Sequence, residues 1–186
     1  MKKVISLTTF CFLILIFVSL NECFAQTLTS EDIKAQIVKD WERAKAYTVD
    51  YLNTMPADKY TFKATDSVRS FAQQMLHLSQ ANVFLISTAI GQQPLSWVQS
   101  APENRSSAEK KDSVMYFVNA SYDYCINAIR NFDVNKWNEK TKIFDKFEET
   151  RFALMNKAFE HQTHHRGQTT VYIRLQGIKP PGEKLF

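Results

Sequence analysis

Only four glycines occur in 186 residues, and the five prolines stand at positions 56, 94, 102, 180 and 181. The tracts between them are long and carry few of the residues that turn hairpins tightly. Such a chain is suited to long helices, and its apolar residues recur at the matching interval. Ile33, Ile37, Trp41, Ala44, Thr48, Tyr51 and Met55 follow three- and four-residue steps up to Pro56, which predicts a first helix opening near Thr29 or Ser30. A second helix is expected from Asp66 or Ser67 to Gly91, with Phe71, Met75, Leu78, Leu85 and Ala89 on its inner stripe and the glycine as C-terminal stop. Ser106 with Glu109 reads as a capping box opening a third helix, which runs through Val114, Val118, Ser121, Cys125, Ala128 and Phe132. Asp133 to Lys146 is a weakly patterned connector. A last helix is expected from about Phe147 to Gln176, ended by Gly177 and Pro180-Pro181. Four amphipathic helices of roughly 25 residues predict an all-α, four-helix-bundle domain. Tyr60 and Phe62, in the loop after Pro56, are expected to tuck beneath it.

Three of the four histidines fall in one stretch of the last helix, Glu160-His161-Gln162-Thr163-His164-His165. At helical spacing His161 and His165 lie on one face, in line with Leu154, Ala158 and Tyr172, so the pair faces inward. His164 is turned roughly 100° away. Such a pair is compatible with a hydrogen-bonded core pair or a solvated face. A divalent cation satisfies both imidazoles at once, where burial without a partner is costly. Chemically active metal sites typically use three protein ligands and leave a position open. His77, on the shoulder of the second helix with Ala81, Phe84 and Thr88, is the natural third ligand, although a lone histidine there also suits a hydrogen-bonded boundary residue.

The first 25 residues are expected to lie outside the fold. Lys2-Lys3, an apolar run from Val4 to Leu20, and Cys23-Phe24-Ala25 form a signal peptide cleaved after Ala25. The mature chain then begins at Gln26 and is exported to the periplasm. The run is long for a signal, so retention as an anchor stands as the alternative; Asn21-Glu22 before Cys23 argues against a lipoprotein. Cleavage leaves residues 26–186 as one domain, large enough for its own core. Loss of Lys2, Lys3 and Glu22 takes the formal charge from +4 to +3, and the basic residues are interspersed with acidic ones. That is no nucleic-acid footprint. Cys125 alone of three cysteines remains, on an inward stripe, so it reads as a small core residue.

His161-x-x-x-His165-Arg166-Gly167-Gln168, the Gly177-Ile178-Lys179-Pro180-Pro181 exit and Met75-Leu76-His77-Leu78 together resemble the DinB family of metal-dependent proteins, over about Ser30 to Pro181. The resemblance implies a bundle of up-down-down-up topology, often dimeric, with a divalent metal, zinc or nickel, on His77, His161 and His165. It also implies, for some members, S-transferase chemistry on a low-molecular-weight thiol, from which an exported protein departs. Arg166 and Gln168 are candidates for supporting the ligands or for an interface, with a structural ion pair the alternative for Arg166. Gly167, costly inside a helix by about 1 kcal/mol, suggests close approach by another helix or chain.

Three function classes remain: a metal-dependent hydrolase or transferase on an unidentified small molecule, a non-catalytic periplasmic binder of metal or small ligand, and a dimerising scaffold. A metallopeptidase is disfavoured because Gln162 follows His161 where the zincin pattern needs Glu. A ferritin-like centre is disfavoured because the chain has no Glu-x-x-His.

Overall fold

The computed structural model describes residues 27–186; the expected signal peptide, its cleavage point and Gln26 lie outside them. Among the described residues four long helices share one core: α1 (Ser30–Thr54), α2 (Phe71–Ile90), α3 (Lys111–Arg130) and α4 (Arg151–Leu175). None is long and apolar enough to cross a membrane.

The helix ends follow from local chemistry. Thr29 caps α1 by accepting from the Asp32 amide while the Asp32 carboxylate takes the Thr29 amide; the Thr29 hydroxyl, which donates to the same carboxylate, and then that amide hold the Asp32 carboxyl below its ordinary pKa. Met55, extended before Pro56, ends the helix. The opening of α2 is displaced to Phe71 from the expected Asp66 or Ser67. Ser70 and Gln73 form a reciprocal capping box there, and the carbonyls of Phe62 and Tyr60 take the amides of Phe71 and Ala72 at 3.0 and 2.8 Å. These bonds satisfy donors that every helix N-terminus leaves open. Tyr60 is buried, its hydroxyl donating to the Leu52 carbonyl at 2.7 Å, and Phe62 packs edge-on against Tyr172. Gly91 ends α2 at φ 70°, a conformation that disfavours side chains.

Two further expectations are corrected. Ser106–Ala108 is a short 3₁₀ turn and α3 opens at Lys111 without a side-chain cap, because Glu109 instead accepts from Ser70 Oγ at 2.9 Å. The stretch that was expected to begin the last helix at Phe147 is the second strand of a hairpin: β1 (Lys140–Ile143) pairs antiparallel with β2 (Phe147–Thr150). Cross-strand charges favour that pairing, with Lys140 and Glu148 2.8 Å apart. Thr150 then caps α4 by accepting from the Ala153 amide.

The core is built from Trp41, Leu52, Phe71, Met75, Leu76, Leu78, Ile86, Tyr122, Ile129 and Leu154, all essentially inaccessible, each large side chain contributing about 1.5–3 kcal/mol by burial. Trp41 packs edge-on against Tyr122 of α3 and Phe159 of α4. Thr48 and Tyr122 hydroxyls meet at 2.8 Å, and Lys34 near the start of α1 donates to Phe132 just beyond α3. Tyr51 meets Thr170 at 2.9 Å across α1 and α4. Tyr172 of α4 donates to Arg69 just before α2, while Arg151 at the opposite end of α4 donates to Ala89. Cys125 is buried, its thiol directed at the Asn82 carbonyl and its pKa driven well up by burial, which makes it the inert core residue expected.

Candidate metal centre

The register of α4 and the shoulder of α2 converge on three imidazoles. His77, His161 and His165 each offer a ring nitrogen, and these atoms lie within 4.8 Å of one another. Their ring centroids are 5.2 Å apart for His77–His161, 4.6 Å for His77–His165 and 4.4 Å for His161–His165. His165 is buried, the other two half-buried. His164, the neighbour expected to point away, is exposed and hydrogen-bonds Gln168 at 2.9 Å.

The chemistry of the trio suits a cation. Burial, then the charges of neighbouring histidines, hold His161 down to about 4 and His165 to about 3. Burial also lowers His77, with Glu103 opposing it. The rings are therefore neutral at pH 7, the form that ligates metal. His77 Nδ1 lies 2.7 Å from Glu103 Oε2, and His165 Nδ1 lies 2.8 Å from Gln74 Oε1. Both partners are acceptors, so each Nδ1 carries the proton and Nε2 keeps its lone pair for a ligand. His161 Nδ1 is buried with no hydrogen-bond partner, a state that costs about 1–3 kcal/mol if nothing satisfies it. The donor set fits a zinc- or nickel-type ion.

Glu103 was not singled out from sequence. It lies in the turn Pro102–Asn104 of the long α2–α3 connector, where its amide donates to Gln80 Oε1 at 3.0 Å and Arg69 Nε approaches its carboxylate at 3.4 Å. The only available signal was that it is the one acidic residue between Gln92 and Arg105. Gln74 was more accessible to reading, being one helical turn before His77.

Arg166 serves elsewhere. It is buried, donates to Gln162 Oε1 at 2.8 Å and to Thr48 Oγ1 at 3.4 Å, and lies over the Tyr47 ring at 4.7 Å. Among the described residues no carboxylate pairs with it, and it forms a polar clasp between α4 and α1. Gln162 belongs to the same clasp, also accepting from Tyr122 OH. It is therefore turned away from the histidines and is no catalytic base. Gly167 is exposed, and a Cβ there would meet nothing within 4 Å. Among the described residues no helix explains it by close approach.

The three histidines stand on two helices of a mostly helical fold. The DinB family model matches residues 25–185, and the protein belongs to that family. Its fold is similar to that of a DinB-like protein from Bacillus cereus, with TM-score 0.68 and 15% identity over 79% of this chain and 95% of that one. A conserved protein from Enterococcus faecalis follows at TM-score 0.63 and 15% identity, covering 77% and 96%. A DinB-like protein from Bacillus subtilis matches at 0.57 and 18%, covering 81% and 96%. No curated protein matches the chain.

Proposed function

We propose that this is an exported DinB-family protein that holds one divalent ion, zinc or nickel, on His77, His161 and His165. The observation that carries this reading is the convergence of three neutral imidazoles, two with Nδ1 already committed to Glu103 and Gln74. Such an ion supplies a Lewis acid at an open coordination position. The chain supplies the rest: Glu103 and Gln74 orient the rings, and the half-buried setting limits water. Hydrolytic or transfer chemistry on a small molecule is the catalytic form of the proposal. The non-catalytic binder is the second reading, favoured by one fact: Glu103, the carboxylate that meets His77, is already engaged by His77 and Arg69.

The helices are read as an up-down-down-up four-helix bundle. Support comes from which ends meet: the starts of α2 and α3 (Ser70 with Glu109), the start of α1 with the end of α3 (Lys34 with Phe132), and the start of α4 with the end of α2 (Arg151 with Ala89). A homodimer is part of the proposal, because Gly167, Val171 and Leu175 are exposed at helical spacing on the outer side of α4.

Native mass spectrometry of untagged protein from a periplasmic extract tests these points together. The expected species is a dimer beginning at Gln26 with one zinc or nickel per chain. A metal-free species after growth with both metals overturns the binding proposal, retention of Met1 overturns export, and a monomeric mass overturns the dimer.

A further inference from the structure

The histidine centre stands between two unlike surfaces. On one flank His77 and His161 border a groove of about 520 Å³ whose remaining walls include Ala81, Phe84, Leu85, Val98 and Phe144. On the other, His165 borders an open polar basin with Lys63, Asp66, Arg69 and Gln73, where Arg69 is paired with Glu103. The groove has the size of a small-molecule site and is far too short for a protein partner, whose interface covers on the order of 1,000 Å² or more. Its outer wall is set unusually. Phe144 and Asp145 occupy the centre of the β1–β2 turn at φ 55° and 52°, a conformation that aromatic residues rarely adopt. Phe144 stays 68% exposed while its ring stacks on Phe84 at 5.4 Å and 26°. The hairpin thus holds an aromatic ring at the mouth of the groove, where strain commonly accompanies function.

We infer that the ligand of this centre is a small amphiphile with an anionic head on the ion that the histidines hold, and an aryl or short alkyl arm along Phe84 and Phe144. This rests on the metal reading above and adds to it the class of molecule bound. The apolar arm supplies affinity through area removed from water, and the head supplies orientation. A wholly polar ligand leaves the groove wetted and gains nothing from Phe144.

The test uses the zinc-loaded mature protein and two probes with the same head, acetohydroxamate and 4-phenylbutanohydroxamate, titrated calorimetrically. The arylated probe is expected to bind at least about tenfold tighter. Phe84→Ala and Phe144→Ala are each expected to cut that ratio to about threefold or less, with zinc content and acetohydroxamate affinity unchanged. Phe144 is exposed at a turn, so its variant tests the groove without emptying the core. Equal binding of the two probes, or a ratio that survives both substitutions, overturns the inference and leaves the metal reading intact. A second arm needs no metal: 4-phenylbutyrate added to metal-free protein is expected to shift the methyl resonances of Leu85 and Val98. Those shifts in a protein that takes up no zinc uphold the groove and overturn the metal reading alone; their absence overturns the inference.

Discussion

His77 and His165 each have one nitrogen committed to an oxygen acceptor, whereas His161 has a buried Nδ1 with none. The three candidate ligands are thus supported unequally, and substitutions should separate them from their neighbours. His77→Ala, His161→Ala and His165→Ala are each expected to remove most bound metal, while His164→Ala, at an exposed position, retains wild-type content by elemental analysis. Glu103→Gln should keep the stoichiometry but weaken affinity by about 10–100-fold in a chelator competition, the usual effect of loosening the partner of a metal-bound imidazole. Wild-type affinity in Glu103→Gln would show that the 2.7 Å contact does not orient His77.

At the scale of elements, the helical stripes were legible and their starting points less so. Two helix starts were decided by which polar partner won. Ser70 has both Gln73 and Glu109, so Ser70→Ala is expected to lower stability by about 1 kcal/mol or somewhat more. Ser106, with Glu109 at the three-residue spacing that Gln73 has from Ser70, caps nothing, and Ser106→Ala should stay within about 0.5 kcal/mol of wild type. Urea denaturation of the two variants side by side checks this; an equal loss in both would restore the sequence-based start of α3. The hairpin was invisible to a helical-period reading because its eight strand residues are held by cross-strand pairing, with Lys140, Thr141 and Lys142 facing Thr150, Glu149 and Glu148, rather than by any stripe of their own.

Across the whole molecule, the candidate ligands join α2 to α4, elements separated by α3 and the hairpin. An ion bound there ties the two helices in the folded state and has no equivalent site in the unfolded chain. At a hundredfold excess over Kd it should stabilise folding by about 2.7 kcal/mol, raising Tm by roughly 5–11 °C for a domain of this size. Calorimetry with zinc and then with EDTA measures the increment, which His161→Ala should abolish and His164→Ala should preserve. An unchanged Tm in both metal states would mean that the trio holds no ion. Arg166 sets a second tie of this kind between α4 and α1, built from Gln162, Thr48 and Tyr47.

The mostly helical class, the inward face of His161 and His165, the outward turn of His164 and the shoulder position of His77 were determined by sequence alone, because helical spacing is a local property that fixes which side chains share a face. Tertiary structure decided what lies opposite each face. Only the packing of α2 on α4 brings His77 to the pair. Only the path of the α2–α3 connector sets Glu103 against His77, and only the α1–α4 contact gives Arg166 its acceptors. Phe144 reaches Phe84 solely because the hairpin folds back along α2. Contacts between residues dozens of positions apart carry no periodic signal in a single chain, and these are the contacts that turn three histidines into a site.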